Sequence, residues 1–181
     1  MNTRRFLSGL LLVAGLSAFL VAADKPRNPF GVNDVASPFS PATIEFAKNI
    51  ELPGGKDDVN AEDWAKDAVQ GNPMFLDGQW YGRWNNGDSG SWSGPSICKI
   101  KVVEDRVYIL YGSSYLIEAR RQGDNKLVGG YTTVGSNGST HPWVGIIVDG
   151  ERIDGVWNTA GARWDFRRRA VRELPQQIKP K

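Results

Sequence analysis

Hydrophobic and polar positions alternate with a period of two from Leu76 to Arg168, and turn residues interrupt the alternation every ~8 to 12 residues. This pattern predicts about eight short strands. The predicted strands are 76–84, 97–103, 106–111, 115–121, 127–134, 143–148, 152–157 and 162–168. Because the connections are short, sequential strands must pair antiparallel. The predicted fold is therefore all-β, an antiparallel up-and-down barrel of about eight strands over residues 76–169.

Residues 24–75 lack this alternation and are rich in proline, glycine and polar residues, which interrupt helices and strands. They predict a mostly irregular N-terminal arm with one short helix. That helix has Asn60 as its N-cap, Gly71 as its stop and Pro73 just beyond. Residues 42–50 are a weaker helical candidate.

The first residues have the pattern of a leader. Arg4 and Arg5 precede an apolar run over 6–21, and Val21-Ala22-Ala23 fits the small-residue rule for cleavage. We expect a signal peptide over residues 1–23 and a secreted or periplasmic mature protein, with an uncleaved anchor as the alternative. No later run is apolar for long enough to predict a transmembrane segment after cleavage.

Composition and charge narrow the choice of partner. The chain has 181 residues, 40% of them hydrophobic and 23% charged, which is ordinary for a globular protein. The formal charge is +2, and removing Arg4 and Arg5 with the leader leaves about zero, so no nucleic-acid partner is predicted. The excess of basic residues begins at Arg163 and includes a predicted basic C-terminal tail over 170–181. Cys98 is the single cysteine and alternates with Ile100, which predicts a buried thiol.

Aromatic residues and glycines share the predicted inner face of several strands. On the first strand Gly78 lies two residues before Trp80, and on the seventh Gly155 lies two residues before Trp157. Glycine leaves bare backbone on which a neighbouring ring can lie, and a barrel of eight strands is only just wide enough for its own side chains. We therefore predict structural roles for these four residues and for Trp164, and no deep open calyx.

Two short motifs carry a resemblance to a known group. Gly78-Gln79-Trp80 on the first strand, with arginines on the last, resembles the calycin barrels, the lipocalin and avidin-like proteins, in which a G-x-W tryptophan packs beside an arginine of the closing strand. RIDGVW at 152–157 is similar to the penultimate strand of avidin-like proteins, whose tryptophan lines the biotin pocket. Tyr81-Gly82 stands where the avidin pattern calls for an asparagine. The resemblance therefore implies the barrel architecture and does not imply biotin binding.

Candidate catalytic residues are few. His141 is the single histidine, so a histidine-based metal site would need carboxylates for all other ligands. A catalytic triad of Ser139, His141 and Asp149 is not predicted, because Ser139 does not lie in a nucleophile elbow. Asp154 and Asp165 alternate among arginines, where ion pairs are the expected outcome. The sequence predicts no enzyme, no metal and no cofactor.

Function is predicted at one end of the barrel. The two longest connections, 85–95 and 135–142, are the first and fifth of the meander and must lie at the same end. The residues predicted to bind a ligand there are Trp84, Asn85, Asn86, Asp88, Trp92, His141 and Trp143. Flat apolar faces mixed with hydrogen-bonding groups suit a small polar-aromatic ligand or a sugar. Variable solvated loops are the alternative.

The sequence therefore favours an exported small β-barrel that is a binding or interaction protein for a small molecule, with the ligand unidentified. One alternative is a carbohydrate-binding module that uses exposed tryptophans to stack on a glycan. A second is an envelope inhibitor or scaffold that docks a partner protein. The exposure of Trp84, Trp92 and Trp143 distinguishes them, because mouth-lining rings favour a small ligand, outward rings a glycan, and buried rings a structural or protein-binding role.

Overall fold

The protein is described by a computed structural model that covers residues 27–50, 75–87, 91–157 and 162–168. The predicted signal peptide at 1–23, the predicted helix at 60–71 and the predicted tail at 170–181 lie outside the described residues, as does Asp88.

Eight antiparallel strands form a closed barrel in consecutive order, with β8 paired to β1. The strands are β1 (Gly78–Trp84), β2 (Ser96–Val103), β3 (Arg106–Tyr111), β4 (Tyr115–Gln122), β5 (Lys126–Thr133), β6 (His141–Asp149), β7 (Arg152–Val156) and β8 (Arg163–Arg168). The predicted barrel is confirmed, and each predicted strand boundary lies within two residues of the observed one.

Because consecutive strands run antiparallel, the connections alternate between the two ends of the barrel. We call the end that carries the β1–β2, β3–β4, β5–β6 and β7–β8 connections the mouth, and the opposite end the base. The two longest predicted loops are the first and fifth connections, so the structure places both of them at the mouth, as predicted.

Packed side chains fill the barrel interior. Trp80, Trp143 and Phe166 are fully buried within one hydrophobic core. A Cβ atom built at Gly155 would lie 2.6 Å from Cζ2 of Trp143, so the missing side chain makes room for that ring. Gly78 differs: a Cβ there would meet nothing within 4 Å, and its φ of 138° is the reason for glycine. The expectation of a filled interior is met.

Side chains of the first and last strands pack together at the base. Trp80 pairs with Arg168 across β1 and β8, and its Nε1 donates to the carbonyl of Leu76 at 3.0 Å. The guanidinium of Arg168 lies 5.1 Å from the Trp80 ring centroid and donates to the carbonyls of Gly150 and Phe75. This is the tryptophan–arginine contact that the resemblance to calycin barrels implies.

The arm carries one described helix, α1 (Pro41–Asn49), close to the weaker candidate of the sequence analysis. Ser40 caps it by accepting from the Thr43 N–H at 3.2 Å. Ala47 packs against Val128 and Val144, which fixes the helix on the outer face of β5 and β6. Among the described residues, no helix is long and apolar enough to cross a membrane.

The arm before α1 lies on the outer face of β3 and β4. Val35 is fully buried with Tyr108 and Leu116. The ring of Phe39 lies under the guanidinium of Arg120, with 4.3 Å between that group and the ring centroid. The arm is therefore held on one half of the outer wall by apolar burial and a cation–π contact.

Candidate functional site

Six inward-facing aromatic side chains meet at the mouth. Each lies at or near the mouth end of its strand, or directly after a strand. We call the group Trp84, Tyr111, Tyr115, Tyr131, Trp157 and Trp164 the aromatic mouth. Three of its rings, Trp84, Tyr115 and Trp157, are half-buried, whereas the other three are buried. The mouth therefore presents partly open rings above a closed aromatic floor.

Trp164 lies at the centre of this group. Its ring meets Tyr111 edge-on at 5.0 Å between centroids and Tyr115 edge-on at 5.7 Å. Phe166, two residues on, stacks on it at 5.6 Å with an interplanar angle of 14°. Edge-to-face and offset contacts are the favoured aromatic arrangements. The floor of the mouth is therefore continuous with the filled core below.

The wall of the mouth is fixed by further ring contacts. Trp157 meets Trp84 at 6.5 Å and Tyr131 at 5.5 Å between centroids, with interplanar angles of 89° and 88°. Its Nε1 donates to the carbonyl of Asn85 at 3.1 Å. Trp157 is thus held by two ring contacts, with Trp84 and Tyr131, and by a hydrogen bond to Asn85. These contacts give the mouth a preformed shape.

Polar atoms are few among these rings. The Tyr111 hydroxyl donates to the Gly94 carbonyl at 3.3 Å. Burial, and then the neighbouring Tyr115, raises the pKa of Tyr131, so its phenol keeps its proton at neutral pH. The Trp164 Nε1 is buried and finds no acceptor among the described residues. Among the six rings, the Trp164 Nε1 is therefore a donor that no described residue satisfies.

Asn85 is buried and engaged by the backbone. Its side-chain oxygen accepts from the N–H groups of Arg163 at 2.9 Å and Gly87 at 3.3 Å, and its own N–H donates to the Arg163 carbonyl at 2.9 Å. Asn85 was predicted to bind ligand. In the structure its side chain instead hydrogen-bonds to the backbone and links the first connection to β8. Asn86, the next predicted residue, is exposed.

Trp92 lies on the outer side of the barrel. The guanidinium of Arg83 is 4.2 Å from its ring centroid, and Arg83 alternates with the inward residues Gly82 and Trp84. The Trp92 ring is half-buried against that guanidinium. It is therefore separate from the aromatic mouth, although its loop lies at the same end.

Two predicted residues on β6 have different positions. His141 is exposed at the rim, stacked on Tyr131 at 5.1 Å between centroids. Trp143 is fully buried in the core, against Gly145 and Gly155, because β6 begins two residues earlier than predicted. Trp143 is therefore a core residue and does not line the mouth.

Of the predicted residues that the structure describes, Trp84 and His141 contact the ring cluster, whereas Trp92 lies on the outer wall and Trp143 in the core. Tyr115, Tyr131 and Trp157 belong to the aromatic mouth, but the sequence analysis assigned none of them to the site. Combining inward parity with closeness to an odd-numbered connection would have identified all three from the sequence.

The expected ion pairs are present on the outer wall. Asp154 pairs with Arg152, and Asp165 pairs with Arg83 and Arg167. Among the described residues, no group of three or more histidine, cysteine, aspartate or glutamate side chains is placed to hold a metal ion.

A cavity of about 510 Å³ lies on the outer wall beside α1. Its lining is mostly apolar and includes Phe46, Ile50 and Pro142. It contains no residue of the predicted site, and it lies outside the barrel, apart from the ring cluster at the mouth.

No family model, curated protein or solved structure matches the chain.

Proposed function

We propose that the protein is an exported, calycin-like small β-barrel that binds a small uncharged ligand at its aromatic mouth. The observation that carries the proposal is the mouth itself. Half-buried rings of Trp84, Tyr115 and Trp157 surround the buried Trp164, whose N–H finds no acceptor among the described residues. Concave aromatic sites with a few polar groups are the usual form of small-molecule sites.

The depth of the site limits the ligand. Trp143 and Phe166 fill the lumen below Trp164, so a ligand would rest among the rings at the mouth. An isolated buried donor is unfavourable, and an acceptor atom on a ligand would satisfy it. We infer a ligand with one flat or apolar face and at least one carbonyl, ether or hydroxyl oxygen.

One feature of the chain supports export, and another weakens the carbohydrate-binding alternative. The leader over residues 1–23 favours export, which suits a protein that meets small molecules outside the cytoplasm. A glycan module would need Trp92 as an open stacking face, and the Arg83 guanidinium lies over one face of that ring.

The test is a fluorescence screen of small uncharged metabolites and oligosaccharides against three variants. Trp157→Phe and Trp84→Phe each remove part of the mouth, whereas Trp92→Phe is the matched control on the outer wall. We expect the mouth variants to weaken binding of a hit by ~2- to 10-fold, from the ~0.5–1.5 kcal/mol of one aromatic contact. The control should bind like the wild type.

Two results would contradict the proposal. The first is a wild-type protein whose fluorescence no compound changes. The second is a hit whose binding is lost in Trp92→Phe and retained in both mouth variants, which would favour the carbohydrate-binding alternative.

A further inference from the structure

The outward face of β7, β8 and β1 carries a lattice of charged side chains. Inward residues of these strands, such as Ile153 and Trp164, lie in the core, so the residues between them point outward. We call the outward set Arg83, Arg152, Asp154, Arg163, Asp165 and Arg167 the arginine face. It contains four guanidiniums and two carboxylates, a net charge of +2.

The lattice is built around two opposed carboxylates. Asp154 and Asp165 are direct partners across β7 and β8, a placement that would be repulsive without neighbouring cations. The Arg152 Nε donates to Asp154 at 2.8 Å, and the Arg167 Nε donates to Asp165 at 3.1 Å. Arg83 contacts the second carboxylate from β1 at 3.3 Å. Arginines therefore flank the acidic pair on both sides.

Four of the six residues of this face are buried although they point away from the core, and the other two, Arg163 and Arg167, are half-buried. Asp154 is 0% exposed, Arg152 3%, Asp165 5% and Arg83 6%. An outward sheet face of charged residues is normally solvated, so its burial indicates that polypeptide covers it. Of the described residues, Trp92 covers the Arg83 guanidinium. The described arm contacts the other half of the wall, over β3 to β6. In addition, Nη2 of Arg167 is buried and has no acceptor within the described ranges.

Residues 51–74 have the right attachment points and charge to cover this face. They join Ile50, which follows the helix on β5 and β6, to Phe75, which precedes β1. In the closed barrel β7 and β8 separate β6 from β1, so the shorter way around the wall crosses the arginine face. Residues 51–74 contain six acidic residues and two lysines, a net charge of −4. Residues 169–181 contain four basic residues and one acidic residue, the same sign as the face.

We propose that the arginine face is a docking surface for an acidic polypeptide segment, and that residues 51–74 of this chain are its occupant. The carboxylates of that segment would complement the excess positive charge, and its sequence-predicted helix has Trp64 for apolar contact with the buried, outward Val156. Docking in this way keeps the arginines from binding other anionic chains.

Limited proteolysis of the full chain with a lysine-specific protease tests this inference. Mass spectrometry would follow cleavage after Lys56 and Lys66, both within the acidic segment. One variant removes negative charge from the segment (Asp57→Asn, Asp58→Asn and Asp63→Asn). A matched control removes three exposed carboxylates elsewhere (Glu45→Gln, Glu104→Gln and Asp124→Asn). A third variant, Arg167→Gln, alters the face.

We expect slow cleavage in the wild type and the control, and cleavage about tenfold faster in the segment variant and in Arg167→Gln, because proteolysis follows the population of the open state. Added salt should accelerate cleavage of the wild type. Circular dichroism would check that each barrel remains folded. Wild-type cleavage as fast as that of a free 51–74 peptide would overturn the proposal. So would protection that survives both charge changes in a folded barrel, because the segment would then be held by something other than the arginine face.

Discussion

The packing of Trp143 on Gly155 gives a sharp test of the core. Gly155→Ala places a methyl carbon 2.6 Å from both Cζ2 and Nε1 of Trp143, and 2.7 Å from Cε2. Carbon atoms in favourable contact are ~3.5–4.0 Å apart, so the overlap is about 1 Å with three ring atoms. The ring cannot move freely, because it is fully buried in the core and meets Phe166 at 6.5 Å between centroids. We expect destabilisation by ~1–3 kcal/mol, the usual range for overpacking.

Urea denaturation measures this loss, provided that the slope of the transition is unchanged. Gly94→Ala is the control, since a Cβ there meets nothing within 4 Å. Adding Trp143→Phe to Gly155→Ala should recover part of the loss, because phenylalanine lacks the overlapping indole atoms. If Gly155→Ala is as stable as Gly94→Ala, the ring does not lie on Gly155 and the inward packing described above is incorrect.

Two further predictions concern the base and the arginine face. Trp80→Ala should destabilise the protein by ~3–5 kcal/mol, since the ring is fully buried beneath Arg168; unchanged thermal unfolding would mean that the ring is exposed. Burial, opposed by Arg152, raises the pKa of the Asp154 carboxyl, so the folded state holds that proton more tightly than the unfolded state. The resulting stability is present at low pH and is lost as pH rises through the folded pKa. The stability of the wild type relative to Asp154→Asn should therefore increase as pH falls towards 3.8, the ordinary value, in urea titrations at several pH values; a decrease would show that pairing with Arg152 outweighs burial.

The fold could be predicted because the barrel repeats one simple pattern. Alternation placed Trp80 and Trp164 inside and Asp165 outside, and the short connections left an antiparallel meander as the only arrangement. α1 was only a weaker helical candidate in the sequence. Its stability comes from the Ser40 cap and from the packing of Ala47 on the wall, and the second of these is a tertiary contact.

The candidate site was harder to predict because loop conformations have no period. Asn85 lies in a polar loop and was therefore predicted to bind a ligand. Its hydrogen bond with the Arg163 N–H joins residues 78 positions apart in the chain, which the sequence does not reveal. Trp92 was expected in the site, but its ring packs against the guanidinium of Arg83 on the outer wall. A two-residue error at the start of β6 moved Trp143 from core to mouth in the prediction, since each strand residue advances ~3.3 Å along the barrel.

The pairing of β1 with β8 also determines how the barrel can be carried. Trp80, near the start of the first strand, is the register partner of Arg168, the last residue of the eighth, so the polypeptide enters and leaves the barrel side by side at the base. Closely spaced ends let a domain be inserted into another chain or circularly permuted. Any tether joined directly to either end would start at the base, and the opposite pole, with its ring cluster, would face away from the attachment point.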